Sequence, residues 1–152
     1  MDKKELFVED LKKGSFLIYG SAGSGKTTLL MQYFKENLKH GGKGIILDTE
    51  NGFSMSRFEQ IMKGVEGWQD RFFLIKIKDF EEQDKRIKWL VEHVDNFDFI
   101  GVDTLGAHYR RFFREDPKKF TNLLRMQCRI LMQFAKRKPV VVTNQVFSGF
   151  DT

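Results

Sequence analysis

Residues Gly20 to Thr27 read GSAGSGKT, the spacing G-x-x-x-x-G-K-[ST], which suits a loop that holds phosphate. Glycine at Gly20, Gly23 and Gly25 lets the backbone curl until successive N–H groups point inward. A helix starting where the loop ends adds the partial positive charge of its N-terminus. Ser21, Ala22, Ser24 and Thr28 complete the stretch expected to surround the phosphates. Lys26 can reach the outer phosphates, and the Thr27 hydroxyl can ligate magnesium.

A phosphate loop alone fits kinases, GTPases and ATPases equally. Three carboxyl-terminal strand ends narrow the choice, because the ligand crevice of an open parallel sheet lies there. Asp103 closes the apolar run FDFIGVD and is placed to hold a magnesium-bound water. Glu50 follows GIILDT, where a carboxylate can orient and polarise the water that attacks a terminal phosphate. Gln145 closes VVVTNQ and can hydrogen-bond the terminal phosphate, reporting its loss to the loop that follows. The plainer alternatives are a solvated loop glutamate at Glu50 and a buried amide satisfying backbone groups at Gln145.

These residues need a frame, and short apolar runs alternating with helical patterns supply one: a mostly parallel sheet with helices on both faces. SFLIYG over Ser15–Gly20, GIILDT over Gly44–Thr49, FFLIKI over Phe72–Ile77, FDFIGVD over Phe97–Asp103 and VVVTNQ over Val140–Gln145 read as strands. Between them, Leu30, Tyr33, Phe34 and Leu38 share one helix face, and Gly41 and Gly42 suit its end. Ser54 caps a short helix with Met55, Phe58 and Ile61 inward, and Asp79 caps the next. That helix repeats Phe80, Gln83, Ile87, Leu90 and Val94, with Gln83 its polar miss. The residues after Asp103 read as an irregular basic stretch. Asp116 and Pro117 then start a long helix lined by Phe120, Leu124, Cys128, Leu131 and Phe134.

At 152 residues the chain suits one domain, with 1–13 as a short leader. It has 41% hydrophobic and 31% charged residues, which excludes a disordered chain. No apolar run spans a membrane, and the charged N-terminus is not a secretory signal. The single cysteine, Cys128, excludes an internal disulfide framework, fits a reducing cytoplasm, and reads as core. His40, His93 and His108 have no metal-ligand spacing. A net charge of +5 is compatible with a polyanionic partner without requiring one.

HYRRFFREDPKK, His108 to Lys119, interleaves Arg110, Arg111, Arg114, Lys118 and Lys119 with Tyr109, Phe112 and Phe113. The cations can neutralise DNA phosphates, and the aromatics can stack on unpaired bases, so the composition suits a single strand. Alternatively the aromatics pack inward while the cations are solvated, and Glu115 and Asp116 weaken the field.

YGSAGSGKTTLL, IILDTENGFSMSRFEQI, IGVDTLGAHYR and VVVTNQVF occur in that order between Gly14 and Phe147. In this the chain resembles the RecA superfamily, most closely the archaeal RadA and RadB recombinase group. RadB is the better match, since such proteins lack the N-terminal DNA-binding domain of RadA. The resemblance implies a RecA-like P-loop core and ATP with Mg2+. It makes Lys26 and Thr27 the phosphate-loop pair, Glu50 the water-activating residue, Asp103 the second-motif aspartate and Gln145 the switch glutamine. Arg57 matches an arginine that sits near the base in recombinases. The loops after GVDTLGAHYR and after TNQVF correspond to the family's two DNA-facing loops.

Two departures stand out. Asn51-Gly52 replaces a motif in which the family more often has glycine first; Asn also tolerates left-handed backbone. Relatives continue past the position of Thr152 with strands beside the phosphate-loop strand. SFLIYG is therefore expected to be an exposed edge, which folded proteins avoid, and the sequence shows no clear aromatic-x-x-alanine element of the kind recombinases use to polymerise. The readings are then a DNA-associated ATPase of recombination or repair, a KaiC-like or archaellum-accessory ATPase, or a low-turnover nucleotide-dependent regulator of a full recombinase.

Overall fold

The apolar runs become five parallel strands, β1 (Ser15–Gly20), β2 (Gly44–Asp48), β3 (Phe72–Lys76), β4 (Phe99–Asp103) and β5 (Val140–Gln145). They form one sheet in the order β1-β5-β4-β2-β3. The computed structural model describes residues 15–21 and 23–145. Ala22, the 1–13 leader and the loop expected after Gln145 lie outside the described residues.

β2 and β4 are buried along their whole length, as central strands covered on both faces must be. Their register sets Gly44 opposite Phe99 and Asp48 opposite Asp103. Hydrogen for a side chain at Gly44 is what admits the Phe99 ring, since a methyl there would overlap it. Among the described residues β1 is an outer strand, and Leu17 and Tyr19 on it are 59% and 69% exposed.

Helix α1 (Lys26–Lys39) and α2 (Met55–Ile61) lie on one face. Leu30, Tyr33, Phe34 and Leu38 of α1 are buried as their spacing predicts, beside Phe58, Trp68, Phe72 and Phe99. This side of the core is rich in aromatic edge contacts, such as Phe34 on Phe99 with ring centres 4.7 Å apart. The other face carries α3 (Phe80–His93) and α5 (Pro117–Ala135) over an aliphatic layer that includes Ile45, Leu47, Ile100, Val102, Val140 and Val142. The expected caps are in place: Ser54, Asp79 and Asp116 accept backbone N–H bonds from Arg57, Glu82 and Lys119 at 3.3, 2.8 and 3.2 Å.

Two expectations are corrected. The stretch after Asp103 is not irregular: Ala107–Phe112 forms a short helix, α4, which no side chain caps and whose brevity hid it from a periodicity search. The buried face of α5 also holds Gln127, fully buried, whereas Leu124 and Cys128 are only half-buried. Gln127 answers the polar miss at Gln83, whose Nε2 donates to Gln127 Oε1 at 2.8 Å and to the Leu105 carbonyl at 2.9 Å. Burial pushes the Cys128 thiol up, which disfavours the reactive thiolate.

Candidate nucleotide site

The phosphate loop bends through Gly23 and Gly25, with φ of 74° and 90°, values that L side chains strongly disfavour. Gly25 stands at the cap position of α1 and supplies no side-chain cap, so the helix N-terminus keeps its N–H groups for an anion. Lys26 folds back over the loop, donating to the Gly20 and Ser21 carbonyls at 2.9 and 2.7 Å.

Register does the rest. Asp103 ends β4 between Asp48 on β2 and Thr143 on β5. Its carboxylate is buried and accepts from Thr27 Oγ1 at 2.8 Å and from Thr143 Oγ1 at 2.5 Å. The hydroxyl and carboxylate expected at a magnesium ion are therefore neighbours. Among the described residues no group of three or more His, Cys, Asp or Glu is arranged to hold a metal ion by itself. A hard cation here suits a shell of Thr27, waters and nucleotide phosphates.

Glu50 is exposed, but the chain on either side of it is fixed. Thr49 N donates to the Asp103 carbonyl at 2.9 Å. Thr49 Oγ1 donates to the Thr104 carbonyl at 2.6 Å and accepts from Thr104 N at 2.8 Å. Beyond Glu50, Asp48 accepts from Gly52 N and Phe53 N at 3.3 and 3.2 Å. Asn51 takes the left-handed φ of 56° that its turn requires, which gives the departure from glycine a physical basis. Burial raises the Asp48 pKa above its ordinary value, against the Phe53 N–H bond and with help from the Asp103 charge.

A cleft of about 400 Å³ gathers Gly23, Ser24, Gly25, Lys26, Thr27, Thr28, Glu50, Arg57, Asp103, Thr104 and Gln145. Gly20 and Ser21 meet it only through the carbonyls that hold Lys26. Thr104 is buried, and its Oγ1 has no partner among the described residues. That orphaned hydroxyl, the uncapped helix and the Thr27–Asp103 pair fit a magnesium nucleotide. Thr49, Thr104 and Thr143 were not singled out from sequence; a threonine directly after Asp48 and after Asp103 was the available signal for the first two.

A second cleft of about 520 Å³ shares Glu50 and is lined also by Asp48, Thr49, Asn51, Lys76, Ile77, Lys78, Ala107, His108 and Arg111. The candidate DNA residues are dispersed. Arg110 Nη1 donates to Asn144 Oδ1 at 3.1 Å, beside Gln145. Arg111 faces the second cleft, while Arg114, Lys118 and Lys119 are exposed and line neither. The aromatics pack largely inward: Phe112 meets Phe120, the Tyr109 hydroxyl meets Thr121 Oγ1 at 3.2 Å, and only Phe113 is exposed, at 37%.

The AAA domain family matches residues 12–122. The chain is 40% identical over 136 residues to the DNA repair and recombination protein RadB of Thermococcus onnurineus, covering 85% of this chain and 58% of that protein. It is 33% identical over 159 residues to the RadB of Methanocaldococcus jannaschii, covering 97% and 74%. A crystal structure of the RadB recombinase superposes with a TM-score of 0.77 at 33% identity, covering 99% of this chain and 70% of that one. The chain thus spans about three fifths of the length of the first of these relatives. With the parallel sheet, the phosphate loop and the acidic strand ends already in place, these likenesses make the chain a member of the RadB family of RecA-like ATPases.

Proposed function

We propose that the chain is the ATP-hydrolysing core of a DNA-associated RadB protein that acts in homologous recombination or repair, in the cytoplasm and alongside a recombinase partner. The observation that carries this reading is the convergence of Lys26, Thr27, Glu50, Asp103 and Gln145 on one cleft. RadB relatives are named for DNA repair and recombination, which supports DNA as the partner, and the family resemblance supports ATP as the nucleotide.

In this reading the loop N–H groups and the α1 N-terminus bind the phosphates, and Lys26 exchanges loop carbonyls for outer phosphate oxygens. Magnesium, when bound, neutralises phosphate charge and orients the terminal phosphate. Thr27 would hold it directly, and Asp103 through a water. Glu50 orients the attacking water and draws off its proton. Gln145 contacts the terminal phosphate, and its neighbour Asn144 passes the change to Arg110 of α4. Arg57 lies at the cleft's mouth and is assigned to the base side of the nucleotide.

The test is ATP hydrolysis by the purified chain with and without single-stranded DNA, with Lys26→Ala as the blank. Turnover above the blank, raised by DNA, is expected. Turnover indifferent to DNA moves the reading to a KaiC-like or archaellum-accessory ATPase. ATP binding without turnover moves it to a regulator that uses ATP as a switch.

A further inference from the structure

We propose that the second cleft binds the sugar-phosphate backbone of a single-stranded nucleic acid through Lys76, Lys78 and Arg111, and that the Asn51 turn carries this binding to Glu50. The inference rests on the reading of a DNA-associated ATPase and assigns that partner a place.

At about 520 Å³ the cleft is the larger of the two that meet at Glu50 and lies within the size range of ligand pockets. Its cations come from three elements: Lys76 ends β3, Lys78 follows it, and Arg111 stands on α4. Lys76 and Lys78 alternate with Ile75 and Ile77, the period-two pattern that sends them to the same side. All three are exposed, and none forms an ion pair among the described residues. Of the two carboxylates in the cleft, Asp48 is buried and occupied by the Gly52 and Phe53 N–H groups. The other, Glu50, is exposed, and the three cations outnumber it, so the mouth is positive on balance.

A polyanionic strand suits this arrangement better than a free nucleotide does. The cleft has no glycine loop or converging backbone N–H groups; its donors are long side chains spread along an open groove.

The link to chemistry is one hydrogen bond long. Lys76 Nζ donates to Asn51 Oδ1 at 2.5 Å, and Asn51 holds its left-handed φ of 56° directly after Glu50. An ammonium is a compact head with three donors, so a strand phosphate on Lys76 acts on the group that steadies the Glu50 turn.

Fluorescence anisotropy with a labelled oligodeoxythymidine, at several salt concentrations, tests the site. The Lys76→Ala/Lys78→Ala chain is expected to bind roughly ten-fold more weakly near 0.1 M salt, with a slope of log affinity against log salt shallower by about 1.4, two phosphate contacts at about 0.7 each. The double lysine-to-arginine chain is expected to keep the parent's affinity, which separates charge from folding. Parental binding by the double alanine chain overturns the cleft assignment alone. Failure of the parent to bind any strand overturns the DNA reading and this site with it. Displacement of the strand by ADP from the Lys26→Ala chain would give the cleft to a free nucleotide and overturn the assignment. For the coupling, Asn51→Gly keeps the turn's backbone but removes the Lys76 partner. It is expected to bind strand normally and to lose DNA stimulation of hydrolysis; stimulation equal to the parent's overturns the coupling.

Discussion

On the phosphate-loop side of Glu50, side chains are held by short bonds among buried and half-buried groups: Thr27 and Thr143 on Asp103, Thr49 on Thr104. On the far side, Lys76, Lys78 and Arg111 are exposed, and one side-chain contact, Lys76 to Asn51, ties them to the site. The first arrangement loses little entropy when it binds, because its geometry is set by folding. The second stays adjustable, and its free energy depends on salt and on what it binds. Under the proposed reading, a hydrolytic site and a strand-sensing site share one carboxylate without sharing rigidity.

Five substitutions at four positions would break or sharpen this contrast. The largest effect is expected from Glu50→Gln, which should lower turnover by about 10²–10⁴-fold while leaving ATP binding intact. Steady-state hydrolysis and nucleotide titration check it, and loss of binding in parallel would move Glu50 from chemistry to the binding surface. Thr143→Val leaves a buried carboxylate oxygen without its donor and should cost about 1–3 kcal/mol in urea unfolding. An unchanged midpoint would mean that the rigid side is less rigid than its hydrogen bonds imply. Asn51→Ala should cost about 1–2 kcal/mol because alanine resists the left-handed φ, whereas Asn51→Gly should cost little. Equal losses from both would show that the Lys76 contact, not the backbone, holds the turn.

The smallest effect concerns pH. The folded chain holds the Asp48 proton more tightly than the unfolded chain does, because burial disfavours its charge. This residue's contribution to stability is therefore greatest below its ordinary value of 3.8 and is lost as pH rises through its raised value. Asp48→Asn should flatten the stability curve over that acid interval. A curve superposing on the parent's would count against a raised pKa at this position.

Much of this arrangement was legible in the sequence. Strand runs such as GIILD and FIGVD, both fully buried, announced themselves by apolarity, and the phosphate loop by its glycines. Sequence reasoning placed Lys26, Thr27, Glu50, Asp103 and Gln145 at one sheet end, and they line one cleft. What escaped notice had competing signals. AHYRRF makes less than two helical turns and has no capping side chain. Gln127 was invisible because a search for apolar periodicity discards a polar residue even when its partner, Gln83, breaks the facing stripe. Lys76 falls within the run FFLIKI and Lys78 just beyond it, and the sequence alone gives neither a role; the fold sets both on the second cleft. The basic segment from His108 to Lys119 admits two readings in sequence, a DNA surface or aromatics packed inward beneath solvated cations; the helix within it turns Phe112 inward, as the second expects, and sends Arg110 and Arg111 to different neighbours.

The fit of the Phe99 ring over Gly44 has a consequence at the opposite end of the sheet. Ahead of their terminal aspartates β2 and β4 are apolar, so hydrophobicity alone would accept those stretches paired one residue out of step, with alternate side chains exchanged between faces. Shape rejects that mistake, because the ring finds space only against the residue that lacks a side chain. The two strands are thereby indexed at their amino ends, and the index is read four residues later, where Asp48 comes level with Asp103. A position out of reach of any nucleotide thus acts as the proofreader of the one that meets it.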